Sequence, residues 1–107
     1  MGAPWETHLV GARKTPGAVA GPEEALAALR AEGCSEPRSW SNAPGDVYGW
    51  HSHGRHKVLF CLEGSIVFHT TEGDVELGAG DRLDLDPGTP HAATVGPQGV
   101  SCVEASR

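Results

Sequence analysis

The sequence predicts an all-β domain, an antiparallel sandwich or barrel, carrying one N-terminal helix. Two observations support this. From about residue 38 onward short apolar or alternating runs follow one another at close spacing, and glycine and proline clusters separate them. Only one segment, about residues 22 to 32, carries helix punctuation. A chain of 107 residues has room for one compact domain. It is expected to consist of an arm and helix (1–37) packed on a β-barrel (38–107).

Taken in order, Thr7-His8-Leu9-Val10 can form a short edge strand, with His8 an exposed arm histidine, and the Gly/Pro/Ala-rich remainder of the first 20 residues carries little pattern. The helix has Pro22 at its first position. Glu23 and Glu24 complement its positive end, Arg30 lies in the last turn and Gly33 suits the stop. Ala25, Leu26 and Leu29 make a narrow apolar stripe that calls for an outer face of the β-structure. Strands are expected at Arg38 to Ser41 and Val47 to His51, around an Asn42-Ala43-Pro44-Gly45-Asp46 turn. Lys57 to Leu62 reads as a buried strand, Ser65 to Thr71 as the next, and Glu72-Gly73-Asp74 as a hairpin turn into Val75-Glu76-Leu77. Leu83 and Leu85 alternate with Asp84 and Asp86, so that Arg82, Asp84 and Asp86 form a solvated face, and Asp81 supports a turn. The last strands are His91 to Val95 and Val100 to Ala105.

Composition removes several function classes. A net charge of -6 and a pI near 5.4 argue against nucleic acid, which requires a clustered positive face. No apolar run approaches the roughly 18 residues of a membrane span, and no signal sequence is evident, so a soluble cytoplasmic protein is expected. Cys34, Cys61 and Cys102 are odd in number and far apart, which favours reduced thiols over a disulfide framework.

The densest chemistry is His51-Ser52-His53-Gly54-Arg55-His56-Lys57, with half of the six histidines. In an extended strand His51 and His53 project to one side, their Cα atoms roughly 6.5 to 7 Å apart, and can reach one metal ion. A second glycine-rich stretch, Gly80 to His91, ends in another histidine. Together these stretches resemble the two motifs of the cupin superfamily. Gly45, His51, His53 and Gly64 match the first, with Lys57 where the motif has Glu. Gly80, Gly88 and His91 match the second, with Asp86 in place of its Pro, Pro87 beside it, and Val95 in place of its Asn. The resemblance implies a small jelly-roll barrel and identifies the fold better than the activity.

It also implies that His51, His53 and His91 offer three neutral nitrogens to one divalent transition ion, Fe, Mn, Ni, Zn or Cu, with positions left for water or substrate. An ammonium has no lone pair for a metal, so Lys57 is the informative departure. Facing the pocket, it would be a candidate base or Schiff-base former. On the simpler reading Gly54 and Arg55 reset the strand's facing, and Lys57 meets solvent or a carboxylate. The same turn can bring His56 inward as a fourth ligand. Leu59 and Cys61 share the face of the ligand slot, Cys61 and Cys102 being small buried residues. Trp40, Tyr48 and Trp50 are candidates for the pocket mouth, and His69 for a strand surface. Two functions remain open: a metal-dependent enzyme on a small molecule, of dioxygenase-like or isomerase-like chemistry, and a non-catalytic small-molecule-binding module that has lost the carboxylate ligand. The resemblance further implies a homodimer, since exposed sheet edges need cover.

Overall fold

Two long strands carry most of the architecture of this computed structural model, which describes residues 7–107. In chain order the elements are β1 (Thr7–Leu9), β2 (Ala12–Thr15), α1 (Pro22–Ala31), β3 (Arg38–Asn42), β4 (Val47–His51), β5 (Lys57–Thr70), β6 (Gly73–Gly78), β7 (Arg82–Leu85) and β8 (His91–Ser106). β5 and β8 pair antiparallel along nearly their whole length, from Lys57 opposite Ser106 to Thr70 opposite His91. The first half of β5 and the second half of β8 lie in a layer ordered β1-β2-β7-β5-β8-β3. Their other halves carry β6 on one side and β4 on the other. The sheet thus folds over on itself as a jelly roll, and its path from β1 to β3 does not close into a ring among the described residues.

The sequence pattern predicts each of these long strands as two separate ones. Both continue through their glycines because a bulge, not a turn, occupies the bend: the β5–β8 register shifts at Cys61/Glu63 and again at Gly64/Ile66. An inserted residue reverses the face of everything beyond it. The inward set on β5 accordingly passes from Leu59 and Cys61 to Ile66 and Phe68, and on β8 from Ala93 and Val95 to Val100 and Cys102. Gly64 permits the crossing. Its φ is +71°, and a Cβ there would lie 2.0 Å from the Gly99 carbonyl oxygen.

Two apolar clusters result. Leu59, Cys61, Ile66, Phe68, Leu77 and Leu83 meet between the layers. On the other side of β5 and β8, Val58, Phe60 and Val103 meet Ala25 and Leu29 of α1. Fully burying one such Leu or Phe contributes about 2 kcal/mol. α1 ends as its sequence suggests, since Gly33 N–H donates to Arg30 O and Cys34 N–H to Leu29 O, the Schellman pattern, with Gly33 at φ +70°. β2, absent from the sequence expectations, lies between β1 and β7 in the layer and pairs with both. The side chain of His8 lies outside the described residues. No helix among the described residues is long and apolar enough to cross a membrane.

Candidate metal centre

β4 and β8 bring two of the motif histidines face to face, because His51 at the end of β4 is the register partner of His91 at the start of β8. His53 follows in the loop after β4, and its carbonyl accepts the N–H of Gly88, in the turn just before β8, at 2.8 Å. This backbone bond joins the two motif stretches. The rings stand 4.3 Å (His51 to His91), 4.9 Å (His51 to His53) and 5.1 Å (His53 to His91) apart, centre to centre. One nitrogen from each lies within 4.8 Å of the others, and ligation at about 2.0 to 2.1 Å would draw them slightly closer.

Backbone carbonyls set which nitrogen is offered. Nδ1 of His51 lies 2.6 Å from Gly49 O, and Nδ1 of His91 lies 2.9 Å from Thr89 O. A carbonyl only accepts, so each Nδ1 carries a proton, and in the neutral ring it is Nε2 that holds the lone pair. Burial holds His91 below the ordinary histidine value, against the Thr89 bond, which works the other way. His53 is lowered too, first by burial and then by the neighbouring Lys57 cation. Metal binding requires neutral imidazoles, and both shifts favour them.

The histidines open into a cavity of about 340 Å³ lined also by Leu59, Phe68, Leu85, Trp40 and Tyr48. The Trp40 and Tyr48 rings meet edge to face at 5.8 Å. Trp50 is 59% exposed and does not line the cavity.

Three sequence expectations need correction. Lys57 does not point to solvent: it lines the cavity, with Nζ 3.5 Å from His53 Nε2. The carboxylate partner considered for it exists and is Glu104, 2.5 Å away. His56 does not join the cluster. Its Nε2 lies 2.8 Å from Asp84 and its Nδ1 3.4 Å from Asp86, on the outer side of the layer. Nor is Asp84 solvated. It is 3% exposed, under Arg82, which bonds it through Nε at 2.8 Å and grips Glu32 at the end of α1 with Nη1 and Nη2. Burial alone would raise Asp84, and the bonds from Arg82 and His56 outweigh it, leaving the carboxyl below its ordinary value. Asp81 does support its turn, accepting from Gly78 N–H at 2.8 Å, and His69 sits on a strand surface between Asp74 and Thr94.

Glu104 is the site residue that the sequence reading missed. Its Oε1 accepts the Trp40 indole N–H at 2.6 Å while Oε2 meets Lys57. Inward alternation on β8 after Val100 and Cys102 would have pointed to it.

The cupin domain pattern matches residues 39–101, more than half of the chain. The chain belongs to the cupin family. All three clustered histidines and Lys57 lie inside the matched span, and Glu104 lies beyond it. Solved cupin-like structures resemble it at low identity. A Klebsiella pneumoniae protein with a double-stranded β-helix domain is 25% identical, with 65% of this chain and 64% of that one covered and a TM-score of 0.59. The DMSP lyase DddQ from Ruegeria pomeroyi is 24% identical over 66% of this chain and 36% of its own, at 0.62. Acireductone dioxygenase from Bacillus anthracis, with a cadmium ion in its active centre, is 18% identical over 78% and 57%, at 0.60. The chain spans less than two thirds of the length of each of these three. Among curated proteins none matches in sequence. Two of these neighbours are named as enzymes, one of them with a cadmium ion in its active centre, and the three-histidine group here has the donor chemistry of a metal site.

Proposed function

We propose that His51, His53 and His91 hold one divalent transition ion, Fe, Mn, Ni, Zn or Cu, and that the cavity beside them takes a small molecule. One observation carries the reading: the backbone carbonyls of Gly49 and Thr89 fix two of the imidazoles with Nε2 as the free donor, within reach of the third. Once bound, the ion would supply Lewis acidity and open positions for water, oxygen or substrate. The chain's own contribution is to favour the neutral form of His53 and His91 by burial and to line the cavity with Trp40, Tyr48 and apolar side chains. Chemistry of the dioxygenase or isomerase kind suits such a centre. Elemental analysis of protein purified without a His-tag tests the reading, beside a His51→Ala/His91→Ala variant. About one equivalent of metal, absent from the variant, supports it, and less than a tenth of an equivalent after reconstitution overturns it.

Lys57 favours a second reading, a non-catalytic binding module, because an ammonium 3.5 Å from His53 Nε2 stands where the family motif has a carboxylate. That reading predicts thermal stabilisation by a ligand without turnover. Product formation lost on His51→Ala excludes it.

The setting that accompanies both readings is a reducing cytoplasm, in keeping with three free cysteines. Pairing of two copies through β4 is proposed as well. β4 is exposed at all five positions, with Val47 72% and Trp50 59% exposed. Sedimentation at micromolar concentration would return a dimer, and a monomer refutes the pairing.

A further inference from the structure

We infer that the occupant of the cavity is a small organic carboxylate, recognised by Lys57. The inference rests on the metal reading above and concerns what the chain supplies around that ion. Three neutral imidazoles leave the charge of a dication uncompensated. Among the described residues that line the cavity, Glu104 is the sole carboxylate, and both its oxygens are engaged, Oε2 by Lys57 at 2.5 Å and Oε1 by the Trp40 indole at 2.6 Å. It is held for Lys57 and is not free to compensate the ion.

Lys57 itself has three N–H donors. One meets Glu104, and the contact to His53 Nε2 is long, at 3.5 Å. A ring nitrogen that gives its lone pair to an ion has none left for an ammonium, so Lys57 keeps a donor with no protein acceptor beside the metal position. Arg38 adds a second cation to the lining. The missing partner is therefore an anion. A carboxylate fits, since one oxygen can reach the ion and the other accept from Lys57, while a short apolar tail lies against Leu59, Phe68 and Leu85. A space of about 340 Å³ keeps that tail short.

The two residues of the ion pair differ in the sign of their expected effects. Glu104 holds Lys57 back from the ligand, so Glu104→Gln tightens anion binding, whereas Lys57→Gln weakens it. The full chain is loaded with Co(II), whose visible spectrum reports changes at the ion, and titrated with butyrate and with its neutral counterpart butyramide. Butyrate is expected to alter the spectrum and raise Tm, with butyramide at least tenfold weaker. Lys57→Gln should lower butyrate affinity at least tenfold while still holding one equivalent of Co(II), and Glu104→Gln should raise it severalfold. The double variant Lys57→Gln/Glu104→Gln leaves no unpaired buried charge and should match Lys57→Gln, which removes misfolding as an explanation. Butyramide binding as tightly as butyrate, or loaded Lys57→Gln protein binding butyrate as the parent does, overturns the inference and leaves the metal reading standing. A parent chain that takes up no Co(II) overturns both.

Discussion

His53 and His56 sit three residues apart in one loop and face opposite sides of the sheet layer. His53 meets two other imidazoles inside, and its ring has no carboxylate partner there among the described residues. Outside, His56 meets Asp84 at 2.8 Å and Asp86 at 3.4 Å, in a network that Arg82 extends to Glu32 on α1. The outer cluster is closed, because each charge in it has found an opposite charge in the chain itself. On the proposed reading, the inner cluster offers its lone pairs to an ion that the chain itself does not supply. Residue type alone does not separate a site from a scaffold; unspent bonding capacity does.

The largest expected effect breaks the comparison from the inside. His91→Ala should lower metal content more than tenfold, and His56→Ala should leave it near one equivalent, as elemental analysis will register. Equal losses in the two variants would mean that both histidines serve one centre.

Arg82→Met addresses the outer side. It removes the main partner of a carboxylate that is 3% exposed, and urea titration should find the fold weaker by about 3 kcal/mol with an unchanged slope. Metal per folded molecule should stay the same. A variant as stable as the parent would show that Arg13 and His56 suffice to hold Asp84.

Acid titration sharpens the same contrast. Glu32 is lowered from its ordinary 4.5, chiefly by its bond from Arg82, and Asp84 is lowered from 3.8 despite burial. In the window below these values the unfolded chain binds more protons than the folded one. Stability from the network is thus complete above about pH 4.5 and is lost as pH falls through the lowered folded values. Denaturant melts between pH 6 and pH 2.5 should trace this loss, and it should shrink in Arg82→Met. The smallest effect belongs to the cavity rim. Tyr48→Phe removes a bond to Asn42 on an exposed edge and should change stability by less than about 1 kcal/mol in the same melts.

Much of this was legible in the sequence because its cause is local. The His-x-His spacing, the Pro22 start and Gly33 stop of α1, and the apolar stripe of Ala25 and Leu29 each depend on neighbours within a turn or two. Alternation on β7 correctly sent Leu83 and Leu85 inward. It could not tell that the opposite face, with Asp84, lies beneath Arg82 and the end of α1, since Glu32 and Arg82 are 50 residues apart. The pair of Lys57 with Glu104 has the same character: the two meet because β5 and β8 pair with Leu59 opposite Glu104. Facing is written in the period of a strand. What covers that face is decided by distant chain.

The most direct test of three histidines inside and one outside is X-ray absorption on the metal-loaded protein. Three imidazole nitrogens are expected around the ion, at about 2.0 to 2.1 Å if it is zinc, with oxygen completing the coordination. A fourth imidazole would bring His56 into the centre, and a sulfur shell or no imidazole at all would contradict the site.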